Sequence, residues 1–295
     1  MTIMKSAQAV FPEKISAHYA SKFKPANCPL KKQVKFNAME TALAINVGAK
    51  HNNYSIDPVG DRDAEIKSGI IRKYEGRLLV LASSECPIHC RFCFRRNMER
   101  KKTNDLPESL ALILAKDKTI EEVILSGGDP LMLNDTELKA LINAISQKIT
   151  IRIHSRVPVA LPERFTPGLR SLLAQSGQRL VFVAHVNHPN ELDNESKKIF
   201  SFLKESKITV LSQSVLLRGV NDNAEVLKKL FQKLFSQGVL PYYLHQLDRA
   251  KGAAHFEVPL KEAKAIHTEL RELLPGYLVP RLVKEIKGGK SKKLL

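Results

Sequence analysis

The sequence contains few aromatic residues and no apolar run long enough to cross a membrane. Aromatic residues make up 6% of the 295 positions, and no stripe of basic and aromatic residues appears of the kind that stacks nucleic-acid bases. No stretch approaches the ~20 uninterrupted apolar residues of a membrane span. The N-terminus MTIMKSAQAVFPEK also lacks the apolar core and cleavage site of a signal peptide. We therefore expect a cytoplasmic protein without a membrane role.

Acidic residues are outnumbered: 47 Lys and Arg residues stand against 30 Asp and Glu residues, which gives a net charge of +17. Such a balance favours an acidic partner such as nucleic acid. The lysines, however, are spread over the whole chain, mostly on predicted solvent-facing helix surfaces. A nucleic-acid function therefore stays open only as a minor alternative, and anionic cofactors would use part of the positive charge.

Cysteine is also scarce, with four residues in all, and three of them lie within eight positions. A disulfide framework would spread its cysteines along the chain, so the clustering indicates a reducing compartment and a metal site. The fourth cysteine, Cys28, is interpreted as a core or surface thiol. With one cysteine to spare, a separate zinc site with four thiolate ligands is excluded.

The three clustered cysteines, Cys86, Cys90 and Cys93, stand in the run CPIHCRFCFRRN directly after an apolar stretch. This C-x3-C-x2-C spacing lets three thiolates bind three irons of a cubane cluster and leaves the fourth iron open. Zinc is the main rival, but zinc prefers four ligands, and His89 could complete such a set only awkwardly from inside the tight loop. We therefore predict a [4Fe-4S] cluster whose open iron binds and reduces another molecule.

Six short runs rich in Val, Ile and Leu alternate with amphipathic helical stretches from residue 77 onward. Their nearly continuous apolar character is typical of strands buried on both faces of a parallel sheet. The runs span residues 77–83, 122–127, 149–155, 180–186, 208–215 and 240–247. We predict an α/β fold in which six strand–helix units form a partial (β/α)6 barrel, short of the eight units of a closed one.

The ends of the chain differ from this repeating part. Residues 1–70 contain FPEKISAHYASKF and FNAMETALAINVG, which predict an N-terminal helical region, with DPVGDRD as a turn-rich connector. Residues 71–275 form the predicted barrel. Residues 276–295 continue as a separate C-terminal segment, in which a possible extended stretch precedes KEIKGGKSKKLL. Alone, that last run would be assigned to a disordered basic tail.

Polar residues follow each predicted strand at its C-terminal end. They are the cysteine loop, SGGD, HSR, HVNH, SQS and HQLD, in the order of the strands. Active sites of such folds lie at this face. In the second of these motifs, Gly127 and Gly128 permit a close backbone approach to a ligand, and Asp129 adds an acceptor.

Six motifs resemble, in the same order, those of the lysine 2,3-aminomutase branch of the radical S-adenosylmethionine (radical SAM) enzymes. They are CPIHCRFCFRRN, LSGGDPLML, IRIHSRVPV, HVNHPNEL, QSVLLRGVND and YYLHQLD, within residues 55–292. The resemblance implies a radical SAM barrel and an isomerase that converts L-α-lysine to β-lysine by 1,2-amino migration. The chain is most similar to the short family members that supply (R)-β-lysine for attachment to elongation factor P.

The resemblance also implies three cofactors and the residues that hold them. The cysteines would bind the [4Fe-4S] cluster, and a lysine near the C-terminus would bind pyridoxal phosphate. That lysine aligns with Lys292, and Lys290 is the next choice, with Tyr74 and Arg77 as further pyridoxal phosphate contacts. The S-adenosylmethionine contacts would be Gly127, Gly128, Asp129, His185 and Gln213.

For the substrate, the resemblance assigns Arg95 to the α-carboxylate of free L-lysine, which suits a planar, bidentate cation. Asp248 and Glu285 would bind the distal ammonium, although the family usually has Asp where Glu285 stands. Two acids in these places favour lysine over glutamate.

The implied partners are an electron donor such as flavodoxin or ferredoxin, elongation factor P and its lysyl-transferring ligase. A homo-oligomer is also left open. Two alternatives remain: the same machinery acting on another basic amino acid or on protein-bound lysine, and an iron–sulfur protein that binds nucleic acid.

Overall fold

The computed structural model of the protein describes residues 11–24, 28–41, 53–98 and 105–295. In this part of the chain one ten-stranded sheet forms, and the strand order across the sheet is the order along the sequence. Strands β3 to β9 are parallel, whereas β1, β2 and β10 pair antiparallel at the two edges. The strands are β1 (Glu65–Lys67), β2 (Ile70–Ile71), β3 (Arg77–Ser83), β4 (Glu122–Gly127), β5 (Thr150–Ser155), β6 (Leu180–His185), β7 (Thr209–Val215), β8 (Leu240–His245), β9 (Arg281–Lys284) and β10 (Lys293–Leu294).

Helices fill the crossovers between the parallel strands and precede the sheet. The described helices are α1 (Ala17–Ser21), α2 (Pro29–Val34), α3 (Leu106–Lys116), α4 (Asp135–Asn143), α5 (Val157–Ala160), α6 (Pro167–Ala174), α7 (Asn194–Glu205), α8 (Ala224–Ser236) and α9 (Leu260–Leu273). Helices α3 to α9 pack with the strands in one large apolar core, whereas α1 and α2 pack in a smaller cluster with Ile88 of the cysteine loop. Within the described ranges, none of these helices has the length and apolar character of a membrane span.

Helix α8 shows why these segments fold as they do. The side chain of Asn223 accepts hydrogen bonds from the first-turn amides and begins the helix. Leu227, Leu230, Phe231 and Leu234 then recur at helical spacing, and all four are fully buried. The helix is therefore fixed by a cap at one end and by one apolar face.

The predicted α/β barrel fold is confirmed, and each of its six predicted strands matches an observed one to within two residues at either end. Burial of both strand faces was predicted, but the second face is only partly buried. In β3, Leu78 and Val80 lie in the core, whereas Leu79 is half-buried and lines a cavity. The reason is that the second face of an open barrel encloses a ligand cavity, whereas the second face of a flat sheet would be covered by another layer of helices.

The two ends of the chain take part in the same sheet. β1 lies in the predicted N-terminal region, and β9 and β10 lie in the predicted C-terminal segment, yet all join the barrel strands. The predicted helix over FNAMETALAINVG lies mostly outside the described residues. The three-part division of the chain stays a prediction.

The N-terminal segments pack on the cysteine loop. The amide of His89 donates to the carbonyl of Lys14 at 2.8 Å, and the amide of Arg91 donates to the carbonyl of Gln33 at 2.7 Å. The guanidinium of Arg91 is completely buried, and its Nε lies 2.9 Å from a carboxylate oxygen of Glu40. Residues before the barrel thus hold the backbone of the loop in place.

Candidate active site

A cavity of about 480 Å³ lies at the carboxyl ends of the parallel strands. Every site residue predicted from the sequence lies in its wall. These residues are Tyr74, Arg77, Cys86, Cys90, Cys93, Arg95, Gly127, Gly128, Asp129, His185, Gln213, Asp248, Glu285 and Lys292. Lys290, the second choice for the cofactor lysine, is exposed and is not in the wall. The fold therefore brings the predicted groups to one place, whatever role each has.

Gly127 and Gly128 are required by the approach of two strand ends. The amide of Gly128 donates at 2.7 Å to the carbonyl of Ser83, the last residue of β3, and the amide of Asp129 donates at 2.7 Å to the carbonyl of Glu85. Gly127 has φ +110°, and a Cβ there would lie 2.8 Å from the carbonyl oxygen of Ser83. A Cβ on Gly128 would overlap the carbonyl oxygen of Glu85. The glycines let the SGGD turn lie directly against the start of the cysteine loop, a backbone contact that the sequence did not reveal.

The three cysteines of the loop are thiols and form no disulfide. The amide of Cys93 donates to the carbonyl of Cys90 at 3.0 Å, which closes a tight turn between two of them. Burial raises the pKa of the Cys90 thiol, although the guanidinium of Arg156, 2.7 Å from its sulfur, opposes this. In the described part of the chain no three His, Cys, Asp or Glu residues are grouped around a single ion position. Three soft sulfur donors on one wall fit an iron–sulfur cluster, in which each cysteine binds a different iron.

Asp129 is buried and holds the neighbouring strand end. Its carboxylate accepts hydrogen bonds from the hydroxyl of Ser155 at 2.9 Å and from the amide of Arg156 at 2.7 Å. Burial raises its pKa to about 6, while these hydrogen bonds oppose the shift. Asp129 therefore fixes the ends of β4 and β5 relative to each other.

His185 and Gln213 are direct neighbours on β6 and β7. The Nε2 of His185 lies 3.2 Å from the amide oxygen of Asn187, and the ring packs edge-on against Phe92 with centroids 5.7 Å apart. Burial, with a further contribution from Arg156, lowers the pKa of His185 well below its usual value. The imidazole is therefore neutral and rigidly held beside the cysteine loop.

At the other side of the wall, Lys292 and Glu285 form an ion pair through Nζ and Oε2. The hydroxyl of Tyr74 donates to the second oxygen of Glu285, and burial together with this bond raises the Tyr74 pKa. The strand β10 that follows Lys292 pairs with β9, so the basic stretch is ordered. Arg77 stacks over the Tyr74 ring at 5.5 Å, at the exposed rim.

Asp248 is the second acid near this ion pair. Burial and the nearby Glu285 raise the pKa of Asp248 to about 7, while Lys292, Lys73 and Lys284 lower it. Asp248 is thus close to half-protonated at neutral pH, and an added cation would favour its charged form.

Arg95 is held by two contacts. Its Nε donates to Asp61 at 2.7 Å, and its Nη1 donates to the hydroxyl of Ser126 at 3.3 Å. The guanidinium also lies over the ring of Phe94 at 4.5 Å. The arginine predicted to bind a carboxylate therefore already touches one carboxylate of the protein.

Several residues of the wall were not predicted as site residues. They are Asp61, Lys73, Arg152, His154, Arg156, Tyr242, Tyr243, His245 and Arg281. His154, Arg156 and His245 stand in the strand-end motifs, so the position after a strand was a usable signal. Asp61 and Lys73 precede β3, the first of the parallel strands, and carry no such signal.

The basic side of the cavity fits an anionic cofactor. Arg152 Nε and His154 Nε2 are buried, and neither has a hydrogen-bond partner among the described residues. Buried polar atoms normally have hydrogen-bond partners, so these two nitrogens are suited to binding a polar ligand. Arg77 and Arg281 add positive charge to the same wall. Together with the Lys292 amine, these groups fit a phosphate-bearing aldehyde such as pyridoxal phosphate.

Comparison with known proteins agrees with this chemistry. A family model described as a 4Fe-4S single cluster domain matches residues 74–155, which include the three cysteines and the SGGD turn. An L-lysine 2,3-aminomutase of Haemophilus influenzae is 40% identical over 297 residues, covering 98% of this chain and 86% of its own. The Escherichia coli L-lysine 2,3-aminomutase is 38% identical, covering 98% of this chain and 84% of its own. A Methanococcus maripaludis relative of the same name is 36% identical and covers 68% of its own length.

Solved structures support the fold alone. A radical SAM methyltransferase from Sphaerobacter thermophilus superposes with a TM-score of 0.51 at 14% identity, covering 73% of this chain and 68% of that one. Native anSMEcpe with bound AdoMet and Cp18Cys peptide gives a TM-score of 0.50 at 14% identity, covering 66% and 58%. The partial barrel is therefore of the radical SAM type.

Proposed function

Because the chain belongs to the L-lysine 2,3-aminomutase family of radical SAM isomerases, we propose that it converts free L-lysine to β-lysine by 1,2-amino migration. The observation that carries this proposal is the shared cavity. Three cysteines, a lysine with its acid, a second acid and an arginine all face one space of about 480 Å³. That set matches the needs of an amino acid with a cation at one end and a carboxylate at the other.

The family uses a [4Fe-4S] cluster, S-adenosylmethionine and pyridoxal phosphate. Here the cluster would be held by the three cysteines, S-adenosylmethionine by the SGGD turn with His185 and Gln213, and pyridoxal phosphate by Lys292 with Tyr74 and Arg77. When bound, these groups supply one-electron reduction, hydrogen abstraction from carbon and stabilisation of a carbon radical. The remaining work of positioning, charge placement and water exclusion falls to the protein.

The substrate ammonium would bind at Glu285, which forms an ion pair with Lys292. A bound lysine would bring a second ammonium to the same carboxylate and release Lys292 Nζ from it. Release from the carboxylate leaves the Lys292 amine available to act as a nucleophile. Asp248, with a pKa of about 7, would complete the acidic end once a cation is present.

Arg95 would hold the opposite end of the substrate through its α-carboxylate. A free amino acid satisfies this contact, whereas a lysine within a peptide has no α-carboxylate to offer. This argument favours free lysine over protein-bound lysine. The extra methylene of Glu285, compared with the usual Asp, keeps another basic amino acid as the second candidate.

The finer assignment is that the product is (R)-β-lysine and that it serves elongation factor P, the role of EpmB-type aminomutases. Its support is the sequence resemblance to the short members of the family. A cytoplasmic reaction with a flavodoxin or ferredoxin as reductant accompanies this proposal, since thiols stay reduced there.

Anaerobic incubation of reconstituted protein with S-adenosylmethionine, pyridoxal phosphate, dithionite and L-lysine tests the activity. We expect β-lysine and 5′-deoxyadenosine, with chiral chromatography giving the (R) form. L-ornithine and a lysine-containing peptide serve as competing substrates in parallel. Absence of β-lysine from protein that carries full iron and pyridoxal phosphate would contradict the proposal. Faster turnover of ornithine or of the peptide would show that this compound, and not free L-lysine, is the substrate.

A further inference from the structure

Asp61 is the buried acid closest to the proposed substrate arginine. It lies in a tight turn in which the side chain of Asp57 accepts hydrogen bonds from the amides of Asp61 and Arg62, both at 3.0 Å. Its side chain is 1% exposed and lies in the cavity wall. Burial opposes ionisation, but Arg95 and Lys73 hold the pKa of Asp61 below its usual value, so the group is a carboxylate.

Arg95 lines the cavity, and its contacts show which of its five N–H groups are already used. Asp61 takes Nε and Ser126 takes one hydrogen of Nη1. Nη1 and Nη2 form the outer edge of the guanidinium. Nη1 keeps one unused hydrogen and Nη2 keeps two, because Nη2 has no partner in the described part of the chain. A guanidinium edge with two parallel N–H groups is the geometry that binds a carboxylate bidentately.

Lys73 changes the charge balance of this arrangement. Its Nζ lies 2.5 Å from the second oxygen of Asp61, 2.8 Å from the carbonyl of Val59 and 4.0 Å from Glu285. Two cations therefore share the carboxylate of Asp61. A lone Asp61–Arg95 pair would be neutral, whereas the triad of Lys73, Asp61 and Arg95 keeps a net positive charge.

From these contacts we infer that Asp61 is a positioning residue for substrate binding: it holds Arg95 by Nε so that its outer edge meets the α-carboxylate of the amino acid. Lys73 offsets the charge of Asp61 so that Arg95 still attracts that carboxylate. This inference rests on the proposed function, since it takes a free amino acid as the ligand. Neither residue touches the substrate in this role.

The test compares L-lysine with L-lysinamide, in which a neutral amide replaces the carboxylate. Equilibrium binding is measured by calorimetry on protein loaded with cluster and pyridoxal phosphate, without reductant, so that no turnover occurs. In Asp61→Asn we expect the preference for lysine over lysinamide to fall ~10-fold, the scale of one charge-assisted hydrogen bond, with lysinamide affinity unchanged. Lys73→Met is expected to lower the same preference.

Asp63→Asn is the matched control, because this acid lies two positions away in an exposed ion pair with Lys287. The Asp63→Asn variant is expected to show the same preference for lysine over lysinamide as the wild type. Iron content and the thermal unfolding midpoint check that each variant is folded. If Asp61→Asn fails to fold, Lys73→Met still decides the question, because it removes no atom of Asp61 or Arg95.

An unchanged preference in the folded variants overturns the inference, as does an equal loss of affinity for both ligands. Failure of the proposed function has a different signature. In that case the wild type gives no β-lysine after reduction, while the lysine-to-lysinamide preference still reports on Asp61 and Arg95.

Discussion

Lysine binding is predicted to weaken as the pH falls through 7, because the distal ammonium of lysine is proposed to bind Asp248 in its charged form. The pKa of Asp248 is about 7, raised by burial and by Glu285. Below this pH the carboxyl is mostly neutral and offers no charge to a cation. Between pH 8 and pH 6 the charged fraction of a group with this pKa falls ~10-fold, so the dissociation constant for lysine should rise by about the same factor.

The sign of the effect on folding is opposite. The folded-state pKa of about 7 lies above the usual 3.8, so the folded protein binds a proton that the unfolded chain releases in this range. The contribution of Asp248 to the free energy of unfolding therefore falls as the pH rises from about 4 to 7. A bound ammonium supplies the missing charge partner, so lysine should stabilise the protein more at pH 8 than at pH 6.

The assay is calorimetric titration of the loaded, unreduced protein at several pH values. L-norleucine, which has no distal ammonium, serves as the reference ligand, so that any pH dependence common to both ligands cancels in the ratio. We expect the lysine-to-norleucine ratio to fall ~10-fold from pH 8 to pH 6 in the wild type, and to be low and flat in Asp248→Asn. The same slope in wild type and variant would refute the assignment of the proton to Asp248.

Three further predictions concern the cofactor residues and the turn beside them. Cys90→Ala should abolish cluster assembly, which iron analysis measures; full iron content would show that this sulfur is not a ligand. Lys292→Ala should lose the visible absorbance of bound pyridoxal phosphate while Lys290→Ala keeps it, and the reverse pattern would move the assignment. Gly128→Ala places a Cβ against a neighbouring carbonyl oxygen and should lower the free energy of unfolding by about 2 kcal/mol, whereas Gly276→Ala, with open space around it, should have almost no effect. Chemical unfolding of the two glycine variants compares them, and equal stability would refute the close-approach argument.

The barrel strands were predictable because local and global signals agree in them. Runs such as 77–83 and 122–127 are apolar, short and bounded by polar residues, and they became β3 and β4 with the same limits. The edge strands β1 and β10 have three and two residues, respectively, which is too short for a periodic pattern. Their pairing depends on the sheet being present first.

The candidate site was predictable where a residue follows a strand or belongs to a motif. Asp61 and Lys73 were not predicted as site residues, because their place in the site depends on contacts with residues far away in the sequence. Asp61 reaches Arg95, 34 positions away, and the sequence around it reads as an ordinary turn. Likewise, the pairing of β10 with β9 turns an apparently disordered basic stretch into the ordered support of Lys292.

The packing of the N-terminal segments on the cysteine loop sets an order for maturation. Arg91, the residue next to Cys90, donates hydrogen bonds to the carbonyl of Gln33 and to the carboxylate of Glu40. The amide of His89 donates to the carbonyl of Lys14. Glu40 is therefore synthesised some fifty residues before Arg91, the side chain with which it pairs. We expect iron and sulfide to be delivered before these segments have packed on the loop. We also expect chelators to reach the assembled cluster chiefly when residues 11–24 and 28–41 detach from it.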